Sequence, residues 1–303
     1  MKVIFCSYND YSNFAYSLSE SLKSVGINSK SLALTPHPFN YEKTSLVVNH
    51  ITMIDEMKEA DIIIIAHSSE HILSLCKDFG KRLFVIHTGT PYRQEPERMN
   101  SIFNPVCERI LFDSPEFDSL IQKEERNYIA GAIDTDKIKF SDYHNSVLTF
   151  AHYPNKPETK GTAKIIEMMK EFQVKFIYDT TDVNHEQNLK RINECDVYIE
   201  LFASKQKDKV YGSFGVTAFE AAAMGKIVIT NSMYHNVYRA NYGSCELSVA
   251  NDEEFFKAWI KYYQNTSLEK IKEYKILNRN WIVENHSYNA TGKYLIKVLN
   301  LQA

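Results

Sequence analysis

The sequence predicts an α/β protein of two Rossmann-like domains, and three observations predict it. Short apolar runs that read as buried parallel strands alternate with amphipathic stretches that read as helices. A second series of the same kind begins after the polar stretch at residues 134–145. The chain has 303 residues, too long for one ordinary core and too short for three, so two domains of about 150 residues each are the natural division. Domains at 1–140 and 141–303 are therefore expected.

The first series opens with a strand at 3–6, an amphipathic helix at 14–25 and a strand at 31–34, a βαβ unit. Strand runs recur at 62–66, 83–86, 109–112 and 128–130, most of them separated by helix-like segments, so the sheet is doubly wound and parallel. In the second series the strands fall at 147–151, 175–178, 197–201 and 227–230. Its helices fall at 162–172, 185–193, 216–224 and 253–264, with a C-terminal helical region from 267 onward. No internal repeat of solenoid period is visible.

Composition sets the class. Hydrophobic residues make up 44% and charged residues 24%, the balance of a globular chain and not of a disordered one. A net charge of −3 gives no global pull toward nucleic acid or anionic membrane, although a local basic patch stays open. The five cysteines (Cys6, Cys76, Cys107, Cys195, Cys245) are scattered and lack any Cys-x-x-Cys spacing, which suggests neither a disulfide framework nor a zinc site. A reducing, cytoplasmic location follows, with peripheral membrane association left open. The apolar start at 2–6 is shorter than a signal h-region, and no run reaches transmembrane length.

The most informative stretch is Tyr211-Gly212-Ser213-Phe214-Gly215-Val216-Thr217-Ala218-Phe219-Glu220-Ala221-Ala222-Ala223-Met224-Gly225-Lys226, followed by the strand at 227–230. A small-residue loop opens a helix and Gly225 closes it. Backbone N–H groups at Gly215, Val216 and Thr217, with the positive end of the helix dipole, make a site for phosphate oxygens. Glu220, about one turn in, can accept paired hydrogen bonds from the two hydroxyls of a ribose. The bland alternative is a helix that begins with Gly and carries a first-turn Glu for its dipole.

This stretch resembles the donor-binding motif of the retaining GT-B glycosyltransferase family (glycosyltransferase group 1, family 4-like). That motif has two glutamates seven residues apart around Phe-Gly, then Glu-Ala, a small residue, Gly-Lys or Gly-Arg and a strand. Phe214-Gly215, Glu220-Ala221 and Gly225-Lys226 match in register, while Gly212, preceded by Tyr211, stands where the first glutamate would contact the donor sugar. The resemblance implies two Rossmann-like domains facing across a cleft, with the last helix packing back on the first. It implies a nucleotide-sugar donor such as a UDP- or GDP-sugar as substrate, no cofactor, no metal, and transfer with retention. Glu220 would hold the ribose and Tyr211 would sit at the donor.

Other segments fit the same resemblance. A strand at 148–151 is followed by His152, Asn155 and then Lys160-Gly161 at a helix start, where an ammonium and backbone N–H groups suit a diphosphate. Lys160 matches the lysine of the family's first donor-domain loop; the arginine is absent and His152 or Asn155 would stand in. A solvated helix-start lysine is the alternative. In the first domain the strand at 83–86 ends in His87, at the carboxyl edge where α/β enzymes bind ligands. The family implies a sugar-contacting, catalytic histidine there; a histidine packed under a loop is the alternative. His67 ends the strand before it and would face the acceptor. Ser12 and Asn13, in the loop at 7–13, would offer donors to phosphate or acceptor.

Residues 130–136 and 284–288 resemble the family's inter-domain turn and its signature before the last helix. Asp134-x-Asp136 spells a metal-binding Asp-x-Asp, but a single such pair at a domain boundary is rejected as a metal site. Lys205, Lys207 and Lys209 read as a solvated loop. The expected function is transfer of a sugar from a nucleotide-diphosphate donor to an acceptor hydroxyl on a glycan or lipid-linked saccharide. The rivals are a phage-type enzyme that modifies a hydroxymethylated base in DNA, an epimerase, and a non-catalytic nucleotide-sugar-binding protein.

Overall fold

The computed structural model describes residues 1–38, 41–142, 144–202, 205–206, 209–210, 214–232 and 234–301. The chain divides into two compact units, one of Met1–Ala132 with His286–Ala303, the other of Ile133–Asn285. Unit 1 runs β1 (Lys2–Ser7), α1 (Phe14–Ser24), β2 (Asn28–Ala33), β3 (Leu46–Val47), α2 (His50–Glu59), β4 (Ile62–Ile65), α3 (Glu70–Cys76), β5 (Arg82–His87), α4 (Gly89–Gln94), α5 (Pro96–Phe103), β6 (Arg109–Phe112) and β7 (Arg126–Tyr128). Unit 2 runs β8 (Thr149–His152), α6 (Pro157–Lys160), α7 (Thr162–Met169), β9 (Lys175–Tyr178), α8 (His185–Asn193), β10 (Val197–Ile199), β11 (Lys205–Gln206), β12 (Lys209–Val210), α9 (Val216–Ala223), β13 (Ile227–Thr230), α10 (His235–Tyr242), β14 (Ser248–Val249), α11 (Glu253–Gln264) and α12 (Leu268–His286). The chain then closes with α13 (Tyr288–Val298), which belongs to unit 1.

Each unit is built on one parallel sheet. In unit 1 the order is β3-β2-β1-β4-β5-β6-β7, and in unit 2 it is β14-β13-β10-β8-β9. β4 shows why these strands form: it is four isoleucines, all fully buried. Successive strand residues point to opposite faces, so such a run fits only a strand covered on both sides. Strand order reverses between β1 and β4 in unit 1 and between β8 and β10 in unit 2. Ligands of open α/β sheets bind at the carboxyl ends beside such reversals.

Apart from β3, an exposed Leu46–Val47 pair that the sequence reading does not predict, the strands missed or shifted lie where apolar pattern is weakest. β2 begins three residues earlier than its apolar run, because Asn28 and Lys30 are exposed while Ser29 between them is buried. β7 takes Arg126 and Asn127 because it is an edge strand, bonded on one side only. β11 and β12 pair antiparallel where a loop is expected, and Lys207 lies outside the described residues.

Residues 133–140 go with unit 2, so the units part eight residues before the expected boundary. The reason is local. Arg279 donates to the carbonyls of Thr135 (2.8 Å), Ile138 (2.7 Å) and Ala223 (2.7 Å), and the Phe140 ring lies against Gly225. In unit 1, α13 packs on α1 at Gly292, where a β-carbon would collide with the Ser21 carbonyl. Leu295, Val298 and Leu299 join Leu18 and Leu22 in that unit's core. Among the described residues no helix is long and apolar enough to cross a membrane, and none of the cysteines forms a disulfide.

Candidate functional site

At the unit 2 reversal, β8 ends in His152 and β10 runs directly into Glu200. The His152 ring is wholly buried, with Nδ1 2.8 Å from the Ile199 carbonyl and Nε2 2.9 Å from Thr162 Oγ1. A carbonyl only accepts, so Nδ1 carries the proton and Nε2 accepts from the threonine hydroxyl. Burial pushes the histidine down to about 4, against the opposing pull of the Ile199 bond, so the ring is neutral at pH 7. His152 therefore ties β8, β10 and the first turn of α7 together. This corrects the expectation that it stands in for a diphosphate-binding arginine; Asn155, also named for that task, is exposed in the loop after β8.

Gly161 ends α6 and caps α7 with φ +69°, and its Cα faces the Phe202 carbonyl so closely that a β-carbon would overlap it. A left-handed φ and a missing side chain are both required here, and only glycine supplies both. Phe202 N in turn donates to the Lys160 carbonyl at 3.1 Å. The backbone that carries Lys160 is thus clamped to the segment after β10.

Lys160 Nζ donates to Glu200 Oε1, and Glu200 Oε2 accepts from Thr230 Oγ1 at 3.0 Å. The Glu200 side chain is fully buried, whereas that of Lys160 keeps 16% exposure. A β-carbon on Gly215 would fall on Glu200 Oε1 and lie 3.0 Å from Lys160 Nζ. The ion pair therefore presses against the bare backbone that caps α9. Among the described residues no side chain caps α9 or α7, and Gly215, Val216 and Thr217 are half-buried. Two helix starts without side-chain caps and an ammonium gather at one sheet edge, an arrangement that favours an anion. Tyr211 and its neighbours Gly212 and Ser213 lie outside the described residues.

Glu220 faces inward from α9, 4% exposed, with Oε1 2.5 Å from Nε2 of His185, the first residue of α8. Burial by itself would lower the histidine, and Lys137 acts the same way. The hydrogen bond and charge of Glu220 outweigh both and hold His185 above its ordinary 6.5.

At the unit 1 reversal, Asp10 follows β1 and is buried. Its carboxylate accepts from the backbone N–H groups of Ala15 (3.0 Å) and Tyr16 (2.9 Å), from Ser45 Oγ (2.8 Å) and from His67 Nε2 (3.0 Å). Burial would raise Asp10, but the His67 bond and charge and the two amides prevail and lower it. The start of α1 is thus already occupied by a carboxylate, so its Ala15 and Tyr16 amides are not open to the phosphate or acceptor expected near Ser12 and Asn13. Asn13 spends its amide on the Lys43 carbonyl at 2.9 Å, and Ser12 is half-buried.

His67 Nδ1 lies 2.7 Å from Thr88 Oγ1, so Asp10, His67 and Thr88 form a chain in which one imidazole joins a carboxylate to a hydroxyl. Asn13, His67 and Ser68 all take left-handed φ values, 56°, 60° and 53°, which cost strain in non-glycine residues and cluster at this strand edge. His87 is fully buried, stacked on Tyr92 at 4.1 Å, with Nδ1 2.9 Å from Ser68 Oγ; burial takes it down to about 3. It is a histidine packed beneath the loop, holding Ser68. The atom of His87 that could meet the expected sugar is Nε2, buried with no hydrogen-bond partner among the described residues, and His67 is the partly exposed histidine of this cluster.

Neither a protein-family model nor a curated protein matches the chain. Solved structures do. Anabaena HepE in complex with UDP and glucose is similar over 100% of both chains with a TM-score of 0.67 at 12% identity. The trehalose-6-phosphate synthase OtsA is similar over 100% of this chain and 99% of its own, with a TM-score of 0.66 at 9% identity. Sucrose-phosphate synthase from Thermosynechococcus elongatus is similar over 99% and 98%, with a TM-score of 0.62 at 10% identity. The chain has the GT-B fold.

In this GT-B chain, sequence reasoning missed Glu200, Thr230, His185 and Asp10. Glu200 does leave a signal, a charged residue at the carboxyl end of an apolar strand run. His185 leaves none, because nothing in the chain's local pattern ties the start of α8 to a glutamate 35 residues on. Among the described residues no cluster of three or more His, Cys, Asp or Glu could hold a metal.

Proposed function

We propose that this GT-B chain is a glycosyltransferase that moves a sugar from a nucleoside-diphosphate donor to an acceptor hydroxyl, with unit 2 holding the donor. The observation that carries this reading is the convergence on Gly215: Lys160, the start of α9 and the start of α7 share one edge of the sheet, one turn from Glu220. As the bond from the anomeric carbon to the diphosphate breaks and the bond to the acceptor oxygen forms, negative charge grows on the departing phosphate. Lys160, the amides of Val216 and Thr217 and the helix dipole are placed to stabilise it. Glu220 takes the ribose hydroxyls.

Similarity to a HepE structure solved with UDP-glucose supports a UDP-sugar as the first donor to try. The motif at 214–226 supports transfer with retention and without metal, Lys160 and the helix dipole serving for the diphosphate. The acceptor is a glycan or lipid-linked saccharide, the protein is cytoplasmic, and His67 is the acceptor-side group of unit 1.

The test is release of nucleoside diphosphate from UDP- and GDP-sugars in the presence of EDTA, with the anomeric configuration of the product read by NMR. Release of UDP or GDP in EDTA with a retained anomer is expected. A strict need for a divalent cation, an inverted anomer, or no release from any donor with a glycan acceptor present would each overturn the corresponding part.

A further inference from the structure

A site that binds a diphosphate gains from positive charge and loses from negative charge. Yet the lysine of this one is paired with a carboxylate. Glu200 is fully buried, its two oxygens are taken by Lys160 and Thr230, and its Oε1 lies with Lys160 Nζ against Gly215, at the proposed diphosphate position. A buried ion pair is weak grounds for a stabilising role, since apolar replacements of such pairs are often neutral or better. A carboxylate at this point therefore calls for another account.

Building on the donor site proposed above, we infer that Glu200 acts through Lys160, tempering its charge at the cap of α9, so that the nucleoside diphosphate left after transfer is released. An ammonium has three N–H bonds, so pairing with Glu200 does not preclude a phosphate oxygen. The repulsion that Glu200 adds at Gly215 grows with the charge on the departing phosphate, so it weighs most on the bound product and, at some cost to the chemical step, favours release where release limits turnover. The Thr230 hydroxyl and the Ile229 carbonyl, which accepts from Glu200 N at 2.9 Å, keep the carboxylate from following Lys160 toward the ligand.

The experiment measures UDP and GDP binding by calorimetry, and product inhibition during turnover, in the full chain and in Glu200→Gln, Glu200→Met and Glu200→Asp. The two neutral variants are expected to bind the diphosphate about ten-fold tighter than wild type and to show matching, stronger product inhibition. Glu200→Asp, which keeps the charge, is expected to stay within about two-fold of wild type. A strut would behave in the opposite sense, losing affinity and melting temperature together. Neutral variants that bind no tighter than wild type overturn the inference, as does failure of both to fold, because tempering charge does not require the carboxylate for folding. Wild type that binds neither UDP nor GDP overturns the donor site itself; wild type that binds with no tightening on neutralisation overturns the role of Glu200 alone.

Discussion

His185 Nε2 and Glu220 Oε1 lie 2.5 Å apart in unit 2, and the pair makes stability depend on pH. The folded value of His185 is raised above 6.5, so its contribution is complete below the unfolded value and is lost as pH rises through the folded one. Urea denaturation across pH 6 to 9 is expected to show wild type losing stability in that window. His185→Gln should start lower and lack this loss.

In the function proposed above, Glu220 also holds the ribose. Loss of a charged hydrogen-bond partner costs about 1.5–3 kcal/mol. Glu220→Ala is therefore expected to weaken UDP binding by at least about ten-fold and to bind UDP and 2′-deoxy-UDP alike, where wild type prefers the ribonucleotide. Calorimetry with the two nucleotides checks this.

The glycines of the site fail in different ways. Gly161→Ala forces a side chain into a left-handed conformation and onto the Phe202 carbonyl, and should cost about 1–3 kcal/mol in denaturant titration. Gly215→Ala places its new carbon on the Lys160–Glu200 pair, so its main effect should be lost donor affinity.

Asp10 carries the opposite pH signature to His185. Its folded value lies below the ordinary 3.8, so its stabilisation is present above that value and fades as pH falls through the lowered one. Asp10→Ala removes the acceptor of two α1 amides and should cost about 1–2 kcal/mol at pH 7 by urea denaturation. His67→Ala, by contrast, is expected to lower turnover with donor affinity unchanged, as kcat and KM measured separately would show.

Much of the fold was legible because buried parallel strands write themselves as apolar runs. β1, β4 and β13 fall within one residue of the sequence expectation, while the edge strand β7 starts two residues before its expected run and β14 has no run to announce it. For the site, Lys160, Gly161 and Gly215 are legible from helix-start chemistry, and the structure brings them together. The histidines are not legible, since a strand-end His reads the same whether it faces a ligand or packs beneath a loop. His87 and His152 are buried by Tyr92 and by the first turn of α7, and those contacts depend on tertiary packing that no local pattern encodes. Glu200 and His185 depend likewise on partners 40 and 35 residues away.

The central claim is that Lys160 and the start of α9 hold a nucleoside diphosphate, and thermal stabilisation of wild type and Lys160→Ala by UDP, GDP, ATP and NAD tests it most directly. Stabilisation of wild type by UDP or GDP but not by ATP or NAD, abolished in Lys160→Ala, is the predicted result. Equal indifference to all four, or a Lys160→Ala variant stabilised as strongly as wild type, would contradict it.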